Sequence, residues 1–420
     1  MGSGICSAPE CEPPPVIDEK REGTNTLYKL SAASLLLYMN RFRSTRFPRS
    51  MMMIKDSVDA FGTRLETALD RSRCLTADEL RIHRLLKKKH YYYGAYLAAL
   101  TSLPTLSSAT SCSQIISSMV AKTSAITSIK VLDNINDRLS SKQDAIKSQR
   151  EHLKAFTEKS FDLKGSDSFL GKAENSCMNM ARWTYDQVAY GLKKGAQTSR
   201  IYAQDFDEYI DGQIRSMDEK ADGASPTTTI KDYIQKVNEK SVGRIWVDID
   251  FCFLEKALGG LDRDEFKSVL GVRRAADYFF KGCNLYDDIA DLEEDLKLGI
   301  FSSVPLLALD RGMIDESDLR RDGQELLRIL KHSDVINEVV QLADLIFLQG
   351  IEPLMEAKEL TKVIDIDAIV FGAKVLRMFA IRKWLFHERS LNSLCKTAIS
   401  LGSLGMYRIS DPIAAYSKHI

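Results

Sequence analysis

The sequence predicts an all-α fold, and three observations support this prediction. Apolar residues recur three and four positions apart over long stretches from Leu27 onward, a spacing typical of amphipathic helices. Alternating strand patterns are almost absent. The chain of 420 residues has only 10 prolines, most of them in the N-terminal tail or at predicted helix starts, so little interrupts helix propagation. We therefore expect long helices packed around a core.

The first 25 residues differ in composition from the rest of the chain. They contain Pro13, Pro14 and Pro15 among charged side chains, which is typical of a mobile tail. Residues 26–420 are numerous enough to bury a large core, and helical enzymes of this length can close around a single cavity. We predict a disordered tail over 1–25 and a single all-α domain over 26–420.

Composition and charge exclude several classes of function. The 58 acidic and 58 basic side chains cancel to zero net charge, which argues against general nucleic-acid binding. We find no secretory pattern and no uninterrupted apolar run of about 18 residues, and we therefore predict a cytoplasmic protein. The eight cysteines are widely spread, which predicts free thiols.

A basic segment over residues 41–49 carries four arginines and two phenylalanines. This composition makes it a candidate for peripheral contact with an anionic membrane surface. A solvated basic face is the commoner role of such a segment, and we keep both interpretations.

An acidic helix face is the strongest functional signal. The segment NLYDDIADLEEDLKLG places Asn284 and four aspartates at helical offsets 0, 3, 4, 7 and 11, within about a third of the helix circumference. Crowded carboxylates repel one another, and divalent cations relieve that repulsion. In isolation, a solvated acidic face is the commoner explanation. The aspartates of this second acidic segment (residues 284–295) are Asp287, Asp288, Asp291 and Asp295, and the adjacent face carries Leu285, Ile289, Leu292 and Leu296.

Another acidic segment, residues 133–144, strengthens the metal interpretation. Asp133 and Asp137 are one helical turn apart with Asn134 beside them, and Asp144 returns to the same side two turns later if the helix continues. Mg²⁺ prefers oxygen ligands, keeps several waters and is often bound by a few carboxylates plus substrate phosphates. This first acidic segment and the second therefore predict a site for Mg²⁺ and a diphosphate.

Both segments resemble the aspartate-rich motifs of the trans-prenyl diphosphate synthases and of the wider class I isoprenoid synthase superfamily. The second family motif is Asp-Asp-x-x-Asp with a further Asp four residues on and a Gly nearby. Asp287, Asp288, Asp291, Asp295 and Gly299 match it. This match is the most specific part of the resemblance.

The first family motif is Asp-Asp-x-x-Asp followed by Arg-Arg. Here Asp133, Asn134, Asp137, Lys142 and Gln143 occupy those places, which is a partial match.

Between its two motifs the family carries a Gly-Gln pair and then a Tyr-containing helix that ends in Lys-Thr. This chain has Gly212 and Gln213, then Tyr233, then Lys240 and Ser241, in the same order and at similar spacing. The resemblance spans about residues 87–309 and implies that Lys240 contacts the diphosphate.

The resemblance implies a helical bundle around a central apolar cavity, an allylic prenyl diphosphate as substrate, three Mg²⁺ ions with substrate bound, and a homodimer. The implied metal ligands are Asp133, Asp137, Asp287, Asp288, Asp291 and Asp295. The implied catalytic residues are Asp133, Asp137, Asp287 and Lys240. The implied substrate-binding residues are Lys88, Lys89, Lys142, Gln213, Lys240 and Asn284.

The departures from the family fall on the site for a second substrate, isopentenyl diphosphate. Chain-elongating members bind it with a Gly-Lys-x-x-Arg element and with the Arg-Arg pair. Here Lys88 and Lys89 supply charge without that element, and Lys142 and Gln143 replace the arginines. The sequence therefore slightly favours a terpene cyclase over a divergent prenyltransferase that adds isopentenyl diphosphate. A non-catalytic subunit of a heteromeric prenyl synthase is a third interpretation, because Asn134 replaces an acid.

Other carboxylate chemistry fits less well. A di-iron bundle needs a Glu-x-x-His pair, and none of the six histidines has Glu three residues before it. The eight cysteines and six histidines also show no local pattern of a nucleophilic site.

Overall fold

The structure, a computed structural model, describes residues 46–139, 141–190, 192–219, 228–387 and 409–420. These residues form helices and connecting loops without a strand, which confirms the predicted all-α fold. The predicted tail over 1–25 and residues 41–45 of the basic segment lie outside the described residues.

Fifteen α-helices lie within the described residues. They are α1 Arg46–Thr67, α2 Ala77–Ile82, α3 Lys88–Leu106, α4 Cys112–Asn136, α5 Lys142–Thr157, α6 Phe169–Ala189, α7 Gln197–Glu219, α8 Ile230–Lys236, α9 Gly243–Leu258, α10 Arg263–Lys297, α11 Ser303–Asp310, α12 Gly323–His332, α13 Val335–Leu360, α14 Ile366–His387 and α15 Asp411–Ala414. The 3₁₀ helices are Val237–Lys240, Asp318–Arg320 and Ala415–His419.

Helix α10, which carries the second acidic segment, has a local signal at each end. At its start the Asp262 carboxylate accepts hydrogen bonds from the backbone N–H groups of Asp264 at 3.0 Å and Glu265 at 2.9 Å. At its end Gly299 has a φ of +70°, and Ile300 N–H donates to the Asp295 carbonyl oxygen at 2.9 Å. This Gly-terminated turn ends the helix directly after the last aspartate.

The longest helix, α10, packs closely against α13 because glycines remove side chains from the contact. A Cβ on Gly282 would lie 2.4 Å from the Phe347 ring, and one on Gly350 would lie 2.7 Å from the Phe279 ring. The Phe279 and Phe347 rings stack with centroids 5.5 Å apart. These contacts hold the middle of α10 inside the bundle.

Helix α4 is the central apolar helix. Among the described residues it is the one helix long and apolar enough to cross a membrane, and 78% of its most apolar window is buried inside the protein. Buried side chains of α4 belong to both hydrophobic clusters, a large one that includes α9, α10 and α13 and a smaller one with α1, α2 and α6. The C-terminal end of α4 therefore brings the first acidic segment to the same bundle as α10.

Candidate functional site

The second acidic segment lies on α10 as the periodicity predicts. Its leucines and isoleucine, Leu285, Ile289, Leu292 and Leu296, are buried. Asp287 is exposed, and Asp288, Asp291 and Asp295 are half-buried. One face of the helix therefore carries carboxylates and the adjacent face packs in the core.

Asp288 is held by two neighbouring elements. The Tyr233 hydroxyl on α8 donates to its carboxylate at 2.8 Å, and the backbone N–H of Ser303 at the start of α11 donates at 3.2 Å. Burial raises the pKa of Asp288 to about 6, while both hydrogen bonds oppose the rise. Asp288 thus ties the second acidic segment to the Tyr-containing helix that precedes Lys240.

The 3₁₀ turn Val237–Lys240 is fixed against two helices. Asn284 Nδ2 on α10 donates to the Val237 carbonyl oxygen at 3.1 Å. On the other side the turn lies so close to Gly212 of α7 that a Cβ there would be 1.9 Å from the Glu239 carbonyl oxygen. The Gly of the Gly-Gln pair and Asn284 therefore place the turn that ends at Lys240 beside the second acidic segment.

Helix α7 also approaches the first acidic segment. Gln213 Nε2 donates to the Tyr209 hydroxyl at 2.9 Å. The pKa of Tyr209 is raised well above its usual value, mainly by burial and also by the nearby Asp133 carboxylate. Helix α7 therefore lies near Asp133 of α4, and at Gly212 it contacts the turn beside α10.

The first acidic segment differs from its prediction. Helix α4 ends at Asn136 and Asp137 is its exposed C-cap, so the expected continuation of one helix to Asp144 is wrong. Asp144 instead lies in the first turn of α5, where its backbone N–H donates to the Ser141 hydroxyl at 3.3 Å. Ser141 starts a new helix because its side chain caps the free N–H groups.

Asn134 joins the first acidic segment to the loop before α3. Its Nδ2 donates to the Leu85 carbonyl oxygen at 2.9 Å, and Asp133 beside it is 3.5 Å from Lys130 Nζ. The loop leads within three residues to Lys88 and Lys89, the first two residues of α3. The lysine-rich start of α3 is therefore near the residue that replaces the family's second acid.

Lys142 begins α5, five residues after Asp137, and its side chain is exposed.

A metal would need ligands beyond the protein side chains. Within the part of the chain that the structure describes, no three Asp, Glu, His or Cys residues are close enough to hold a cation by themselves. The carboxylates of Asp133, Asp137, Asp287 and Asp291 are hard oxygen donors, and Mg²⁺ commonly takes one or two of these together with waters and phosphate oxygens. The donor set therefore fits Mg²⁺ that is bound together with a diphosphate.

An apolar cavity of about 90 Å³ lies between α3, α4, α9, α10 and α14. Phe279 and Phe280 of α10 line it, and Phe280 is seven residues, or two helical turns, before Asp287. Phe251 and Phe253 of α9 are buried in the core and do not line it. The apolar cavity therefore lies about two helical turns from the acidic face of α10.

The sequence prediction missed a buried ion pair next to this cavity. Lys122 Nζ binds Asp250 Oδ2, and both side chains have an exposed fraction of 0%. The available signal was the position of Lys122 and Asp250 among apolar neighbours in α4 and α9, because charges in such positions are rarely buried without a partner.

Comparison with known proteins identifies solved structures with a similar fold. No protein-family model and no curated protein sequence matches the chain. The crystal structure of heptaprenyl diphosphate synthase from Staphylococcus aureus matches with a TM-score of 0.52 and 14% identity, over 77% of this chain and 98% of that chain. A mutant of the SVS_A2 protein from ancestral sequence reconstruction matches with a TM-score of 0.50 and 13% identity, over 80% of this chain and 84% of that chain. The chain therefore has a class I isoprenoid synthase-like fold.

Proposed function

We propose that the protein is an Mg²⁺-dependent isoprenoid synthase that ionises an allylic prenyl diphosphate and releases pyrophosphate. One observation carries the proposal: Asn284, Gly212 and the Tyr233–Asp288 hydrogen bond together hold the turn ending at Lys240 beside the second acidic segment. A leaving pyrophosphate carries several negative charges, so an enzyme must place cations at one point to stabilise it.

Each candidate residue has a distinct role in this proposal. Asp133 and Asp137 would hold two Mg²⁺ ions, and Asp287 with Asp291 would hold a third. Mg²⁺ bound there would supply stabilisation of the charge that develops on the leaving group. Lys240 binds the diphosphate directly through its ammonium.

Other residues position these groups. Asn284 fixes the turn through its bond to Val237, and Tyr233 orients Asp288. We assign a positioning role to both, and Asn284 also remains a proposed substrate-binding residue. Gln213, which donates to Tyr209, and Lys142, which begins α5 within the first acidic segment, are proposed diphosphate-binding residues as well.

The apolar cavity shelters the organic cation from water. Phe279 and Phe280 line it two turns before the acidic face, and aromatic faces stabilise cations within about 6 Å. Exclusion of water also prevents premature hydrolysis of the cation. The proposed division is therefore a polar mouth for the diphosphate and an apolar interior for the prenyl chain.

Internal cyclisation is the first candidate for the fate of the cation, because the departures from the family fall on the isopentenyl side. A second candidate is attack by isopentenyl diphosphate. It is favoured by the Asn134–Leu85 hydrogen bond, which brings the start of α3, with Lys88 and Lys89, close to the first acidic segment. Both candidates share the ionisation step and differ in what captures the cation.

The test is to incubate the purified full chain with geranyl, farnesyl or geranylgeranyl diphosphate, each with Mg²⁺ or EDTA and with or without isopentenyl diphosphate. Pyrophosphate release and the organic products are measured. We expect release that needs Mg²⁺. Cyclic or simple terpenes without isopentenyl diphosphate support the cyclase, and longer diphosphates that form only with it support the prenyltransferase. Inactivity with every substrate, followed by activity with a partner subunit, contradicts catalysis by this chain alone.

Matched variants test the aspartates. Asp287→Ala and Asp133→Ala should each lower pyrophosphate release by about 100-fold or more, because each removes stabilisation of the leaving group. Glu293→Ala is the control, since Glu293 is an exposed acid of the same helix that pairs with Lys297 at 2.9 Å. Equal activity of the Asp and Glu variants would contradict the metal assignment.

A further inference from the structure

The ion pair of Lys122 and Asp250 is fully buried and its anion is well satisfied. Asp250 Oδ1 accepts hydrogen bonds from the hydroxyls of Ser102 and Ser118, each at 2.7 Å, while Oδ2 accepts from Lys122 Nζ. A buried charge without such partners costs several kcal/mol, roughly, so the pair and its two serines form one unit.

The ammonium end of this unit faces the cavity. Lys122 Nζ also donates to the Thr101 hydroxyl and lies 5.3 Å from the centroid of the Trp246 ring. Thr101 and Trp246 both line the cavity, whereas Asp250 and its two serines do not. The positive pole of the pair is therefore the one that lies behind the cavity wall.

The pair lies deep in the bundle, away from the acidic segments. Lys122 is 11 residues before Asp133 on the same helix, a rise of about 16 Å. Asp250 is seven residues after Gly243, the first residue of α9, a rise of about 10 Å along that helix. Phe280 and Val242 line the cavity nearer to the acidic face and to Lys240, so the ion pair marks the deep part of the wall.

We propose that Lys122, held by Asp250, is a specificity-determining residue that disfavours positive charge in the deep part of the cavity and so confines the carbocation to the end near the aspartates. This inference rests on the proposed function. Burial lowers the pKa of Lys122 to about 8, which keeps the amine protonated at pH 7. An ammonium behind Thr101 and Trp246 repels a cation there more strongly than one near Phe280, because Coulomb energy falls with distance.

The expected effect is modest because Asp250 cancels part of the field. Opposite charges a few Å apart leave a net repulsion at the deep wall that corresponds to about a three- to tenfold change in an equilibrium constant. A restraint of this size does not prevent ionisation. It alters which carbon of the prenyl chain carries the charge, and therefore the product.

The test measures binding rather than turnover. Two prenyl-chain amines are used. One carries a tertiary ammonium near the diphosphate end and the other carries it near the far end. The binding of each amine is compared with that of a neutral analogue in which carbon replaces the nitrogen. Dissociation constants are measured by calorimetry with Mg²⁺ and pyrophosphate present. The variant is Lys122→Met with Asp250→Asn, which removes both charges. The second variant is Lys122→Gln with Asp250→Asn. It keeps a neutral hydrogen-bonded pair and is used if the first variant does not fold.

In the double variants, preference for the far-end amine over its isostere should rise about three- to tenfold, while preference for the near-end amine stays unchanged. Thr101→Val controls for loss of a polar lining group, since it keeps the ammonium. An unchanged far-end preference in a folded double variant, or the same change in Thr101→Val, overturns the inference. Failure of every analogue to bind overturns it as well.

These outcomes are separable from the test of the proposed function. Pyrophosphate release together with an unchanged far-end preference overturns only the role of Lys122. Selective binding of the amines without pyrophosphate release overturns only the proposed function.

Discussion

The side-chain amide of Asn284 donates a 3.1 Å hydrogen bond to the backbone carbonyl oxygen of Val237. This bond ties α10 to the turn that ends at Lys240, and Gly212 admits the same turn from the other side. Residues from three segments separated by 25 or more positions thus meet at one place. The bond to Val237 depends on the Asn284 side chain, and the close contact at Gly212 depends on the lack of one. A single substitution can therefore test each contact.

Gly212→Ala should displace the turn, because the new Cβ would lie 1.9 Å from the Glu239 carbonyl oxygen, a backbone atom with no flexible end. Overpacking of this kind costs about 1–3 kcal/mol of unfolding free energy. We expect this loss in urea unfolding, together with a loss of pyrophosphate release, since Lys240 moves with the turn.

The matched control is Gly62→Ala on α1. A Cβ there meets no atom within 4 Å, and alanine is a better helix former than glycine by about 1 kcal/mol. It should leave activity unchanged and raise stability slightly. Equal stability of the two variants would show that the turn does not press on Gly212.

Tyr233→Phe removes the hydroxyl that donates to Asp288 at 2.8 Å and leaves Asp288 with the Ser303 N–H. Hydrogen bonds to charged groups contribute roughly 1.5–3 kcal/mol, and we expect a loss near the lower value because Asp288 keeps the hydrogen bond from the Ser303 N–H. Tyr190→Phe, at an exposed fraction of 76%, is the control and should change stability little. Chemical denaturation of both variants compares them directly, and a Tyr233→Phe protein as stable as the control would contradict the structural role of this bond.

The helical face of Asp287, Asp288, Asp291 and Asp295 was predictable because helical periodicity is local. A repeat of 3.6 residues fixes which side chains share a face before any tertiary contact forms. The aspartate spacing across Ser141 suggested one continuous helix. Ser141 is nevertheless a local capping signal, because its hydroxyl accepts from the Asp144 N–H and starts α5 as a separate helix.

Long-range partners were not predictable from one sequence. Asn134 binds the carbonyl of Leu85, 49 residues away, and Lys122 binds Asp250, 128 residues away. Spacing gives no information about such pairs, because they depend on how helices pack. The same limit explains why the hydrogen bond from Asn284 to the Val237 carbonyl oxygen was not predictable.

Lys122→Met alone should destabilise the protein by about 3–5 kcal/mol, because it leaves the Asp250 carboxylate buried without its cation. Adding Asp250→Asn should restore most of the loss, since a neutral amide oxygen can still accept from Ser102 and Ser118. Urea unfolding of both single variants and the double variant forms a cycle that yields the coupling energy. Additive effects of the two substitutions would contradict a direct ion pair.

Asp248 of α9 should make stability fall as pH rises. Its carboxyl is buried beside Asp205, and among the described residues neither of its side-chain oxygens has a hydrogen-bond partner, while Arg273 Nε lies 3.6 Å from its Oδ1. Burial, and then the neighbouring Asp205, raises its pKa well above the usual value, although Arg273 and Arg244 oppose this. Above the unfolded pKa of about 4, the folded state binds more protons than the unfolded state, so the free energy of unfolding decreases with pH.

Asp248→Asn removes this titration and should raise the free energy of unfolding at pH 7 while flattening its pH dependence above pH 4. Asp205→Asn is the matched contrast, because Asp205 accepts two hydrogen bonds from the Arg273 guanidinium, the one from Nε at 2.6 Å. Its removal takes the hydrogen-bonded anion from the half-buried Arg273, which keeps a 3.6 Å contact with Asp248 Oδ1, and should destabilise the protein. Urea midpoints measured from pH 5 to pH 8 distinguish the two, and a loss of stability in Asp248→Asn at pH 7 would mean that Asp248 is ionised and paired in the folded protein.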